Sequence, residues 1–358
     1  MTDVVCYYHD PVKAALLRDA VLPALAEAEA GGATGHVERH WLHGPHVRVR
    51  LDGPDDAAEL VASRLRAYLA ERPSTSDVSP EVLLARSKQY GTAELVPPPY
   101  EPIHPDNTVL VEPTDLTALR ELLGSDALVD LRSRCLRLGV PAIADAVAVD
   151  GTSRSRVRLA VVAMTAHASR FPAGLVNGYH SFLSHLEGFL LHDDPDGVLR
   201  ARFDGVWERN AEQKADMVER VAAGTTGTPW IAWTDATRAV VEEAFDRGEL
   251  PTAYSGHLGE RAVRLGEEQA IRRWHRDHVD RVGEYHLRLR EVDFDHPDYQ
   301  RPVTVYRFGT NMLYQLLAVC DVTPVERYLA ASLVVRAVQR ITGLDWPAHV
   351  ARMAKVSR

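Results

Sequence analysis

Residues 96–105 read Val-Pro-Pro-Pro-Tyr-Glu-Pro-Ile-His-Pro. Prolines at this density cannot sit inside a helix or a central strand, because each lacks an amide hydrogen and has a fixed φ. The segment is expected to be a stiff connector, and it separates two kinds of pattern. Ahead of it, residues 4–8 (Val-Val-Cys-Tyr-Tyr) form a short β-rich run. Residues 11–30 have helical spacing that stops at Gly31-Gly32. Residues 36–51 alternate apolar and polar around Gly44-Pro45, the mark of a β-hairpin. Residues 55–72 return to helical spacing behind Pro54-Asp55-Asp56. This order predicts an α+β fold, an antiparallel sheet with helices on one face. Beyond the connector the spacing is of the 3.6 type over 115–138, 154–170, 176–191, 199–223, 234–247, 255–288 and 311–341. Breakers fall at Gly224–Pro229 and Asp293–Pro302. The expectation is a sheet domain over 1–110 and a mainly helical region over 111–358 that completes an active site.

The chain has 358 residues, too many for one small core and too few for three domains. Acidic residues number 50 against 41 basic, for a net charge of -9, which argues against a general nucleic-acid coat. Lysine occurs only at 13, 88, 214 and 355, so 41 minus 4 leaves 37 arginines. Arginine is the better planar fork for carboxylates and amides; a GC-rich genome gives the same bias. Cys6, Cys135 and Cys320 are far apart and odd in number, which speaks against a disulfide framework. Met1-Thr2-Asp3 carries an acid where a secretion signal carries positive charge, and no run of about 18 apolar residues occurs. A cytoplasmic chain with no membrane and no nucleic-acid partner is expected.

There is no P-loop, no G-x-G-x-x-G behind a strand, no H-E-x-x-H and no G-x-S-x-G. Sixteen histidines invite a metal reading. Yet His275 with His278, and His192-Asp193-Asp194, do not present a full ligand set on one face. No metal is expected.

Three stretches carry possible chemistry. On the second hairpin strand His46, Arg48 and Arg50 share one face by period-two alternation. Arg39 and Trp41 of the first strand are expected to lie across the hairpin from that stripe. Buried and unpaired, such cations would be costly. The face is therefore either solvated, as an edge device against aggregation, or a floor for a flat, polar ligand. In Gly178-Tyr-His-Ser-Phe-Leu-Ser-His-Leu-Glu-Gly-Phe189, helical spacing sets Ser181, Ser184, His185 and Gly188 along one stripe. A histidine beside two hydroxyls can work as a general acid or base; a core histidine bonded to a carbonyl is the alternative. Tyr179 is a second proton donor in this reading. In Tyr306–Tyr328, Thr323-Pro-Val-Glu326 is a helix start. Asn311 and Tyr314 share a face that either reaches a pocket or packs in the core.

These residues resemble a known family. His40-Trp-Leu-His-Gly-Pro-His-Val-Arg-Val-Arg50 is similar to a strand motif in the C-terminal half of class I lantibiotic dehydratases, the thiopeptide-type bacteriocin biosynthesis domain. Arg158–Ala168, Ser181–Phe189 and Val325-Glu-Arg-Tyr328 fit its stand-alone members. The resemblance covers most of residues 4–346. It implies a ribosomal precursor peptide with a leader as substrate, other maturation enzymes of the pathway as partners, and no metal or organic cofactor. Two activities are implied by the scaffold. One eliminates glutamate from glutamylated Ser/Thr; the arginines of the strand then take the glutamyl group. The other is a pyridine synthase, which joins two dehydroalanines by a formal aza-[4+2] cycloaddition with loss of water and leader. The Pro-rich 97–107 segment looks more like the synthases, and Gln89-Tyr90-Gly91-Thr92 departs from the elimination domains. The resemblance then implies His185 as acid/base with Tyr179, Ser184 and Tyr314 as auxiliary donors. Arg39, Trp41, His46, Arg48, Arg50, Ser181 and Asn311 would hold the peptide. A non-catalytic peptide-binding scaffold is the remaining alternative.

Overall fold

The computed structural model describes residues 1–149, 151–275 and 282–356. They form two compact units. The first comprises Met1–Gly151, Ala253–Asp280 and Ala318–Asp321, and the second Thr152–Thr252, Arg281–Leu317 and Val322–Arg358. The α+β expectation holds: a small N-terminal antiparallel sheet precedes a mostly helical remainder.

The sheet of the first unit has four strands, β1 (Thr2–Tyr7), β2 (Thr34–His40), β3 (His46–Asp52) and β4 (Thr108–Pro113). Their order is β2-β3-β1-β4, with antiparallel neighbours throughout. Helical segments after β1 and after β3 make this a split βαβ arrangement. The first segment runs Ala14–Leu16, through a π-turn at Leu17–Val21, into Leu22–Ala30. Pro23 has no amide hydrogen for the Asp19 carbonyl, and the turn widens just before it. The second, Asp56–Glu71, buries Ala58, Val61, Ala62, Leu65 and Leu69 at helical spacing.

Both segments cover the sheet face that carries Val4, Val37 and Val49, each at most 1% exposed. Gly35 marks how tightly they pack, because a Cβ there would stand 2.8 Å from both Leu25 and Leu51. Each such valine or leucine contributes about 1.5–3 kcal/mol by leaving water. The opposite face carries Asp3, His36, Glu38, His46, Arg48 and Arg50. There the helix Asp126–Leu138 packs against β2.

The connector over 96–105 contains neither helix nor strand. Several elements go beyond the sequence reading: β4 and the helices Pro80–Glu94, Val140–Val147 and Trp346–Val356. Among the described residues of 255–288 the helices are Leu258–Leu265, Glu268–Trp274 and Glu284–Leu289. Among the described residues no helix is long and apolar enough to cross a membrane. The three cysteines are buried, and none is in a disulfide.

The second unit is arranged around the helix Pro324–Thr342, ten of whose residues are buried. A helix apolar on nearly every side belongs at the centre. Around it pack Ser153–Ser169, His180–Asp193, Val198–Glu208 and Ala211–Ala222. Its start is the expected capping box: the Thr323 side chain accepts from the Glu326 amide, and the Glu326 carboxylate accepts from the Thr323 amide. The 311–341 stretch is therefore two helices, with Pro297–Val319 ending just before. Pro302 lies inside that earlier helix instead of breaking it.

Candidate functional site

In the first unit the hairpin cations are buried but paired. Arg50 is 3% exposed, and its guanidinium forms a fork on Asp3, with Nε and Nη2 at 2.9 and 3.0 Å. Its Nη1 stands 3.2 Å from Glu38. Glu38 also takes both Arg132 nitrogens, at 3.0 and 2.7 Å, and the His36 ring at 2.9 Å. Burial alone would raise the Glu38 carboxyl; Arg132 and His36 outweigh it and hold it well below the usual range. Such a network keeps the strand face charged at the cost of removing Arg50 from any substrate. Arg50 is thus committed to Asp3 and Glu38 on this face.

Arg48 is nearer the surface, 3.4 Å from Asp3, and among the described residues its Nε has no hydrogen-bond partner. His46 is 1% exposed, with Nδ1 on the Gly44 carbonyl at 2.9 Å and Nε2 without a partner among the described residues. Burial, then the Arg48 charge, keeps this imidazole neutral well below its ordinary pKa.

Arg39 requires a correction. It pairs with Val47 in the ladder, so it lies on the face opposite Arg48. There it binds Asp321 at 2.5 Å and the Pro11 carbonyl at 2.9 Å. Trp41 follows the end of β2. Its indole donates to Glu94 at 2.8 Å and neighbours the rings of His40, Tyr90 and Tyr100.

In the second unit the helix His180–Asp193 carries exposed His185. Its Nδ1 is 2.9 Å from the Tyr314 hydroxyl, with ring centres 5.3 Å apart. Burial raises the Tyr314 hydroxyl above its ordinary pKa, with the Arg327 charge opposing, so it stays protonated at neutral pH. A protonated phenol on one imidazole nitrogen can relay a proton to or from the other. Arg327 lies over the Tyr314 ring at 4.4 Å and the Tyr328 ring at 5.0 Å, and Phe189 stacks on Tyr328 at 3.9 Å.

The expected stripe on this helix is divided between two neighbours. Ser184 turns to His286, 3.1 Å away, while His185 turns to Tyr314. Ser181 is half-buried on the same helix, and Asn311 is exposed on the helix that carries Tyr314. Tyr179 is fully buried, its hydroxyl 2.7 Å from His349 Nδ1. Its hydroxyl is thus enclosed with His349 and apart from the His185–Tyr314 contact.

Among the described residues no group of three or more His, Cys, Asp or Glu side chains is placed to hold a metal ion. Asp194, of the His192-Asp193-Asp194 cluster, accepts from the Leu199 and Arg200 amides. His278 lies outside the described residues.

Arg327 has no signal of its own in the sequence, where it stands inside the helix start as part of Val325-Glu-Arg-Tyr328. Asp3, Glu38 and Arg132 have none either, because partners 47 and 94 residues apart in the chain leave no local pattern.

Thirteen solved chains resemble this one, and two of them match it along nearly its full length. One is "Pyridine synthase, TbtD, from thiomuracin biosynthesis", with a TM-score of 0.71 at 22% identity, covering 96% of this chain and 98% of that one. The other is TsrL, with a TM-score of 0.64 at 18% identity, covering 100% and 99%. At these identities the likeness establishes the fold. A search of curated proteins finds no match. The sequence profile described as "Lantibiotic biosynthesis dehydratase C-term" matches residues 3–253. Well over half of the chain lies within that match, and the protein belongs to the lantibiotic dehydratase C-terminal family, among the proteins that mature ribosomal peptides.

Proposed function

We propose that this protein is a pyridine synthase of thiopeptide maturation. It would join two dehydroalanines of a precursor peptide by a formal aza-[4+2] cycloaddition, with loss of water and of the leader as a carboxamide. The observation that carries the reading is the exposed His185 imidazole bonded to a protonated Tyr314 hydroxyl.

The reaction needs an amide converted to its imidic-acid tautomer. One group takes the amide N–H proton and a nearby group returns a proton to the oxygen; a His–Tyr pair does both without net change. Aromatisation then expels water and the leader amide, which again calls for proton delivery. Holding two remote dehydroalanines together supplies much of the acceleration. In this reading Arg48 and Trp41 contact peptide carbonyls and rings, with His46 and Arg50 shaping the strand beneath them. Ser181, Ser184 and Asn311 are auxiliary contacts near His185. No metal or organic cofactor takes part, and the work is done in the cytoplasm.

The test uses purified protein and a leader-fused peptide already carrying two dehydroalanines. Mass spectrometry is expected to show a ring product together with the leader carboxamide. Absence of that product, with glutamate released from a glutamylated peptide, would overturn the proposal in favour of elimination. His185→Ala is expected to bind the peptide and lose turnover. Unchanged pathway output from that variant would instead mark the protein as a scaffold.

A further inference from the structure

Arg327 sits in the first turn of the buried helix Pro324–Thr342. Among the described residues no carboxylate pairs with it, and its Nε is buried without a hydrogen-bond partner. The acid beside it in the chain and the one nearest His185 on its helix are paired elsewhere. Glu326 accepts two bonds from Arg156, at 3.0 and 2.7 Å, and also closes the capping box. Glu187, two residues past His185, holds Arg200 at 3.1 and 2.9 Å. Arg170, Arg301 and Arg336 each have an acid of their own. Arg327 has instead two aromatic rings, at 4.4 and 5.0 Å, and a long contact of 3.4 Å to the Tyr328 hydroxyl.

A half-buried guanidinium without a counter-charge is unfavourable until something negative arrives. Clamped by rings, it is also a charge of fixed direction, with planar N–H donors matched to a planar oxygen-bearing group. We propose that Arg327, the Tyr314 hydroxyl and His185 form a subsite for a planar O–C–N or O–C–O group bearing full or developing negative charge. This deepens the reading given above and rests on it for the identity of the group. In cycloaddition the group is the substrate amide: His185 takes its nitrogen-bound proton, negative charge moves to the oxygen beside Arg327, and a proton returned there gives the imidic acid. In glutamate elimination it is the carboxylate of the departing glutamate.

The experiment has a binding arm that does not depend on turnover. Protein labelled with ¹³C in its histidine rings is titrated with benzoate, a planar carboxylate, and the His185 signal is identified by its loss in His185→Ala. A saturable shift of that signal is expected. Arg327→Gln is expected to weaken benzoate binding at least about tenfold, and Arg327→Lys, which keeps the charge, to weaken it less. No shift in the wild type, or equal affinity in Arg327→Gln and the wild type, overturns the subsite. In the turnover arm Arg327→Gln is expected to lower kcat by about 10²–10³-fold, with partial recovery in Arg327→Lys. Benzoate binding that depends on Arg327, without cyclised product in the wild type, sinks the synthase reading and leaves the subsite standing. Glutarate binding more tightly than benzoate assigns the group to a glutamyl carboxylate; equal binding assigns it to the amide oxygen.

Discussion

His185 and Ser184 are adjacent on one helix, yet 100° of helical rotation gives them different partners. His185 meets a phenol held by Arg327, and Ser184 meets a second imidazole, His286. Spacing in the sequence showed that a histidine and two hydroxyls lay close on a helix; it did not show which neighbour each would find. That neighbour comes from residues 102 and 129 positions further along. The two side chains are therefore expected to behave differently when altered. Tyr314→Phe keeps the ring beneath Arg327 and removes only the hydroxyl on His185. Its rate of ring formation is expected to fall about 10²-fold, the range for loss of a positioned proton-transfer group. Ser184→Ala loses a hydrogen bond worth about 1 kcal/mol and is expected to slow the reaction less than tenfold. The check is single-turnover mass spectrometry of the dehydroalanine peptide. Equal losses in the two variants would mean that the tyrosine hydroxyl has no special part.

At the scale of elements, the hairpin was legible because period-two alternation survives any tertiary context. The helix Pro80–Glu94 was not. Its buried stripe is Leu83, Ser87 and Gly91, and two of those three are too small or polar to register as an apolar face. The small residues are there for a reason: a Cβ at Gly91 would overlap the Tyr100 ring, whose hydroxyl is tied to the Val96 carbonyl at 2.8 Å. Gly91→Ala is thus expected to be destabilising by about 1–3 kcal/mol, although alanine is ordinarily the better helix former. Neutral or improved stability in a urea titration would show that Tyr100 yields easily.

The charged face of the sheet calls for a second experiment. Glu38 is the common acceptor for Arg132, Arg50 and His36. Glu38→Ala leaves two buried guanidinium groups short of a partner and is expected to cost about 3–5 kcal/mol. Breaking the exposed Arg64–Glu27 pair by Arg64→Ala is expected to cost about 1 kcal/mol at most. Arginines at alternate positions were readable as a stripe. That the stripe was neutralised from β1, β2 and a helix was not.

Over the whole molecule, the stability lost between pH 7.5 and 5.5 is expected to come from buried histidines. Among the described residues nine histidines are shown with a lowered pKa, and for each the leading cause is burial: His9, His36, His40, His43 and His46 in the first unit, and His167, His180, His286 and His349 in the second. His167 shows how such a ring is held. Its Nε2 contacts the Thr310 hydroxyl at 3.1 Å, and that hydroxyl donates its own proton to the Tyr306 carbonyl. Nε2 must therefore carry the hydrogen, which leaves Nδ1 a buried acceptor without a partner among the described residues. Protonating it would place an unpaired charge in the core, and its pKa falls to about 4; that of His180 falls to about 3. In the unfolded chain both rings protonate near pH 6.5. The unfolded state thus binds more protons as the pH drops below 6.5. Stability is complete above that value and is lost on the way down to the folded pKa values. Each fully buried ring withdraws up to about 1.4 kcal/mol per pH unit in that window. Glu38, already ionised far below it, contributes no slope there. The urea midpoint is therefore expected to fall markedly between pH 7.5 and 5.5, before carboxylates begin to titrate. Because depressed histidines occur in both units, probes in either one should register the loss. A midpoint that holds steady across that interval would mean that these rings take up protons in the folded protein as readily as in the unfolded chain, and that the buried imidazoles have access to water or to partners of their own.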